Sequence, residues 1–202
     1  MKETPILFSG DMVRAILSGA KTQTRRPVKY TPALGDPANW PADMTSKRLA
    51  AFGLSSCPYG EPGGRLWVRE TFVTDYFDAS ERNARVGYRA DWTSNAAEYV
   101  TEPKWKPSIH MPRWASRITL PVVAVRIERV QDITAEDAQA EGVTVPRCGC
   151  EVCSRGTAIC PADATSCIEG FRDLWCATYG RASWEENPWV WVVEWSKAQV
   201  RQ

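Results

Sequence analysis

"LSGAKTQTRR" spans Leu17 to Arg26, and the periodicity of the chain changes inside it. Upstream, Asp11 can cap a helix whose apolar residues Met12, Val13, Ile16 and Leu17 fall on one face, with Gly19 as its stop. Downstream the period drops from 3.6 to 2. "KTQTRRPV" then reads as a strand with Lys21, Gln23 and Arg25 on one side and Thr22, Thr24 and Arg26 on the other. Polar groups therefore line both faces. A lysine beside a threonine can ease deprotonation of the hydroxyl if its amine is desolvated and neutral, or stabilise an oxyanion if it stays charged. Either role needs a cleft, and without one the same run is an ordinary solvated strand edge.

Working outward, "RLWVRETFVT" (Arg65 to Thr74) alternates Leu66 and Val68 with Trp67 and Arg69. "RITLPVVAVRIERVQDI" (Arg117 to Ile133) is a long β-rich run that places Pro121 at an edge or bulge, and "WVWVVEW" (Trp189 to Trp195) is a last strand. Helices are expected at "TAEDAQAEG", where Thr134 and Asp137 make a capping box, and at about Thr165 to Tyr179. Short strands with few helices, in no regular alternation, predict an α+β fold built on a small mixed barrel. Two stretches read as insertions or long loops: Lys29 to Gly64, rich in Pro and Gly, and the cysteine-bearing run from Val143 to about Cys167.

The chain of 202 residues is 44% hydrophobic with ten tryptophans, enough to bury a full core, so a single domain over residues 1–202 is expected. Its 25 basic and 24 acidic residues leave a formal charge of +1, so no overall field draws it to nucleic acid or anionic lipid. Any nucleic-acid contact must come from a local patch. "MKETPILF" lacks the apolar run of a signal peptide and no stretch is apolar enough to span a membrane, which reads as cytoplasmic.

One local patch is "KWKPSIHMPRWASR", where His110 sits among Lys104, Lys106, Arg113 and Arg117 with Trp105 and Trp114 interleaved. Such a segment can hold phosphate and stack a base, or it can be a surface loop whose tryptophans belong to the core. As the only histidine, His110 cannot supply the paired histidines of one class of ribonuclease. Arg65 and Arg69 share a strand face with Trp67 between them, suited to bidentate phosphate contacts or to pairing with a nearby carboxylate. Seven cysteines, concentrated after Cys148, argue in a reducing compartment for metal over disulfides. Cys148, Cys150, Cys153 and Cys160 can form a tetrahedral thiolate set for a structural Zn²⁺, with Cys57 or Cys167 as a substitute for one of them.

"MVRAILSGAKTQTRR", "GGRLWVRE" and "DITAEDAQAEGV", in that order, resemble the ASCH domain, a relative of the PUA RNA-binding fold. "CPYGEPGGRLWVRET", "PSIHMPRWASRITL" and "NPWVWVVEW" are closer still to ASCH-like proteins encoded by phages and prophages. The resemblance leaves out roughly Tyr30 to Ser55, Asp75 to Glu102 and the cysteine loop, so a further insertion is expected at about 75–102. It implies a β-barrel flanked by helices, with a cleft and no organic cofactor. Small bacterial members of the family are amidohydrolases that remove the acyl group from N4-acetylcytidine, using a lysine and a threonine of a "GxKTxTxR"-type motif and a later glutamate. Carried over, these are Lys21, Thr24 and Glu141: Thr24 as nucleophile, Lys21 as its activator and Glu141 as acid/base or orienting carboxylate. A nucleoside, nucleotide or RNA would then be met by Arg25, Arg65, Arg69, Lys104, Lys106, His110, Arg113 and Arg117. Other relatives are RNA-binding modules or ribonucleases, and a phage protein of this kind can instead present its loops and tryptophans to a host protein.

Overall fold

The computed structural model describes residues 2–29, 35–41, 57–74, 86–92, 104–144 and 161–201. In chain order the main elements are β1 (Glu3–Leu7), α1 (Gly10–Leu17), β2 (Gln23–Pro27), β3 (Arg65–Arg69), β4 (Phe72–Thr74), β5 (Val86–Tyr88) and β6 (Ile118–Arg129). They are followed by α2 (Ala135–Ala140), α3 (Pro161–Tyr179), α4 (Arg181–Glu185), β7 (Trp189–Trp195) and β8 (Gln199–Val200). The class is α+β.

The principal sheet runs β1-β3-β6-β7-β2, with β8 added to β6, while β4 and β5 pair separately. β1 lies parallel to β3 and the other pairings are antiparallel. β6 serves two halves of this sheet. Its first residues pair with β3 and β8, and from Val122 onward it pairs with β7. The register shifts between Val122 and Ala124, immediately after Pro121, so of the edge or bulge expected at that proline it is the bulge that occurs, where the strand changes partners.

Among the described residues no sheet closes into the expected barrel. Among the described strands β1 and β2 are the sheet edges, and each carries a proline, Pro5 and Pro27, that removes a backbone donor. A side chain spans the gap instead, with Arg26 Nη2 donating to the Leu7 carbonyl at 2.7 Å.

Two cores flank β7. Trp189, Trp191, Val193 and Trp195 enter an inner cluster with Ile6, Phe8, Val13, Leu66, Val125 and Ile127, while Val190 and Val192 pack against Ile133, Ala138, Phe171 and Trp175 under α2 and α3. This explains why "WVWVVEW" is apolar at nearly every position: both of its faces are covered. Among the described residues no helix is long and apolar enough to cross a membrane.

Three local expectations are corrected. Ser9, not Asp11, caps α1, because the helix already begins at Gly10; the Ser9 hydroxyl accepts from the Met12 amide at 3.4 Å, and Asp11 pairs with Arg14. "RLWVRETFVT" is not one strand: β3 ends at Arg69, Glu70 turns into the interior to meet Arg117, and β4 starts at Phe72 in the second sheet. The strand after Gly19 begins at Gln23, so Lys21 and Thr22 lie outside it. Gly19 itself has φ 79°, a left-handed helix stop as its position suggests. Thr134 does cap α2, its hydroxyl accepting from the Asp137 amide at 3.1 Å.

A buried lysine and glutamate as the candidate active site

Lys21 emerges from the turn after α1 and meets the end of α2. Its amide donates to the Ala15 carbonyl at 3.0 Å, the Thr22 amide donates to the Ala140 carbonyl at 2.8 Å, and Lys21 forms an isolated antiparallel bridge with Glu141. The regular ladder starts only at Gln23, opposite Glu194, so Lys21 is released from the alternation of β2. Close approach here depends on Gly142. It has φ 92°, and a Cβ there would stand 3.2 Å from the Cβ atoms of both Ala15 and Lys21.

The Lys21 amine donates to Glu141 Oε2 at 2.5 Å and to the Glu141 carbonyl at 2.8 Å, joining residues 120 apart in the chain. Lys21 is 1% exposed and Glu141 4%. Burial pushes the Lys21 pKa below the ordinary lysine range; Glu141 acts in the opposite sense, and the positive charges of Arg26 and Arg25 add to the lowering.

Arg25 completes the surroundings of Glu141. Paired residues of adjacent antiparallel strands face the same side, so Gln23 and Arg25 on β2, Glu194 and Val192 on β7, and Ala124 and Arg126 on β6 all look toward α2. Arg25 donates through Nη1 to Glu141 Oε1 at 3.3 Å, through Nη2 to Asp137 Oδ2 at 2.8 Å, and through Nε to Glu128 Oε1 at 3.0 Å. Its guanidinium lies 5.6 Å from the centre of the Phe171 ring. Arg126 shares two of these carboxylates, Glu128 at 3.0 Å and Asp137 at 2.9 Å, and also pairs with Glu194. Burial alone would raise the Asp137 pKa, but Arg25 and Arg126 outweigh it and hold the carboxyl below its usual value. Gln23 closes the cage with a 2.8 Å hydrogen bond to the Asp137 carbonyl.

Thr24 is buried on the other, inner face of β2, opposite Val193. Arg26 shares that face. Its guanidinium stands 5.2 Å from the Phe8 ring and donates to the Tyr179 hydroxyl at 3.2 Å. The Lys21 amine lies 5.9 Å from the same Phe8 ring, so it sits at the rim between the two faces and not wholly on the Arg25 side.

The other expected contact residues gather elsewhere, around β3 to β5. Arg113 makes a two-point ion pair with Glu3, at 2.7 and 3.2 Å. Arg117 binds both oxygens of Glu70, at 3.0 and 3.1 Å, pairs with Asp91, and covers the Tyr88 ring at 3.9 Å. Lys106 donates to the Thr74 hydroxyl at 2.9 Å. Arg69 donates to the Ile109 carbonyl and, with Arg113, flanks the Trp67 ring at 5.4 and 5.8 Å. Arg65 is half-buried on the same face of β3, while Lys104 and His110 are exposed. Of the eight, only Arg25 joins Lys21 and Glu141.

Cys148, Cys150, Cys153 and Cys160 lie outside the described residues. Cys57 is buried in the inner core, where burial raises its thiol pKa to about 11, and Cys167 is buried in the outer core within 3.6 Å of the Gln139 amide. Among the described residues no His, Cys, Asp and Glu cluster is arranged to hold a metal ion.

Sequence reasoning passed over Gln23, Arg126, Glu128, Asp137 and Glu194 as site residues. Two signals were present: charges at alternate positions in the otherwise apolar "AVRIER", and an Asp137–Glu141 spacing of four that puts two carboxylates on one side of a helix. The chain matches no family model, no curated protein and no solved structure.

Proposed function

We propose that the chain is an amidohydrolase of the ASCH kind, acting on an N4-acylated cytidine or a nucleoside acylated in the same way. The observation that carries this reading is the buried Lys21–Glu141 pair, assembled from elements distant in sequence, with the Lys21 pKa lowered by burial. A neutral amine is what a threonine nucleophile requires of a neighbouring base. In the proposed reaction Thr24 Oγ1 attacks the acyl carbonyl carbon, its proton passes to the Lys21 amine, and the carbonyl electron pair moves onto oxygen. Collapse breaks the C–N bond, and the leaving N4 takes the proton back from Lys21. Water then hydrolyses the Thr24 ester to the free acid. Glu141 holds the amine in place throughout.

The test is release of acetate from N4-acetylcytidine by the wild type, Lys21→Ala and Thr24→Val, with folding of each checked by circular dichroism. Turnover in the wild type that is lost in folded Thr24→Val is the expected result. Undiminished turnover in Thr24→Val, or none in the folded wild type, would sink the assignment.

Exposed Lys104, His110 and Trp114, the last 56% accessible, favour a second reading as an RNA-binding module. It requires RNA affinity that falls with salt and with loss of Lys104. The internal pairing of Arg113 and Arg117 makes this the weaker reading.

A further inference from the structure

Arg25 carries the character of a substrate contact in sequence, next to Thr24 in a polar strand, yet its side chain is wholly buried and both edges of its guanidinium are engaged. Nε and Nη2 face Glu128, Nη2 also reaches Asp137, Nη1 takes Glu141, and one face of the plane lies toward Phe171. We propose that Arg25 is a positioning residue that orients the Glu141 carboxylate against Lys21 and touches no substrate, a role that rests on the hydrolytic reading above.

The geometry is specific. Glu141 gives Oε1 to Arg25 and Oε2 to Lys21, so its carboxylate plane is set by two donors from the same segment. With only Lys21 as partner the carboxylate could turn about its terminal bonds, and the amine would lose the fixed acceptor that holds it in place. Charge acts alongside geometry, because Arg25 competes with Lys21 for Glu141 and repels the ammonium form. The charged groups facing Lys21 are Glu141 beyond α2 and Arg25 and Arg26 on β2. On α1, which also borders Lys21, Asp11 and Arg14 pair with each other at the surface.

Arg126 provides the control. It holds Glu128, Asp137 and Glu194, and no contact of it with Glu141 occurs among the described residues. The full chain is labelled with ¹⁵N-lysine, the Lys21 Nζ signal is assigned by its loss in Lys21→Met, and its titration is followed in wild type, Arg25→Met and Arg126→Met alongside kcat and KM for N4-acetylcytidine. In Arg25→Met the Lys21 midpoint should move upward and kcat fall by about 10- to 100-fold, part of what a positioned base contributes, with KM within about twofold. Arg126→Met should leave the Lys21 midpoint in place even where it lowers thermal stability.

A raised KM with unchanged kcat in Arg25→Met would make Arg25 a substrate contact and overturn the proposal. So would a Lys21 midpoint unmoved by Arg25→Met, or moved equally by both variants. Should Arg25→Met fail to fold, Arg25→Lys keeps the charge without the fork and is expected to show the same kcat loss. A folded wild type with no turnover would refute the hydrolytic reading alone, and the titration would still decide whether Arg25 governs the pair.

Discussion

Glu141 accepts from a different basic side chain with each carboxylate oxygen, and this bears on stability as well as chemistry. Removing one partner of a buried ion pair leaves the other charge uncompensated. Glu141→Ala is therefore expected to cost about 3–5 kcal/mol in urea unfolding. Lys21→Met combined with Glu141→Leu should cost less than the sum of the single changes, because the double variant leaves no orphaned charge at the pair. Additive losses would show that the two residues are not energetically coupled. A lysine whose folded pKa lies below its unfolded value binds fewer protons when folded, so its burial penalty is relieved as pH rises from that lowered pKa toward 10.5. If the neutral amine is the working form, kcat should rise with pH through the same window, below the ordinary lysine range, and Arg25→Met should displace that rise upward. The meeting of Lys21 with Glu141 was not derivable from local pattern, since 120 residues separate them and only a family resemblance linked the two.

α2 is six residues long, and its placement depends on its ends and on one side chain. Thr134 starts it. Gly142 ends it in a conformation that other residues enter at a cost, and there a methyl group would press on Ala15 and Lys21. Gly142→Ala should lose about 1–3 kcal/mol in thermal or urea unfolding, more than Gly19→Ala, where φ is also positive but nothing among the described residues lies within 4 Å of the added carbon. Asp137 ties the helix to both β2 and β6. Its folded pKa is below 3.8, so the stability it contributes is complete above that value and is lost as pH falls through it toward the folded pKa. Melting temperatures of wild type and Asp137→Asn should differ near neutrality and converge in acid; a constant difference would mean the carboxylate charge is not what holds α2. The capping residue of α2 was legible because capping is local, whereas the paired role of Asp137 was not, since its partners lie on two other elements.

The open sheet places its two edge strands near each other without joining them, and Arg26 crosses the gap to the Leu7 carbonyl. Arg26→Met should remove a charge-assisted hydrogen bond worth about 1.5–3 kcal/mol and speed amide exchange in β1 and β2 before the rest of the sheet. Uniform acceleration across the sheet would argue against a seam. For the cysteine-bearing run the proposal is one structural zinc ion per chain, held by Cys148, Cys150, Cys153 and Cys160. Metal analysis should find it in the wild type and not in Cys150→Ser, and equal zinc in both would remove that cysteine from the set. By itself the sequence determined what depends on neighbours along the chain: the helix stop at Gly19, the cap at Thr134, an irregularity at Pro121, and a last strand at Trp189 to Trp195. The tertiary structure decided that the described strands form an open sheet, that Arg25 is enclosed by carboxylates and that Arg113 and Arg117 are paired. These outcomes depend on which distant strands lie side by side, and on the cost of burying a charge without a partner, neither of which any short stretch of sequence contains.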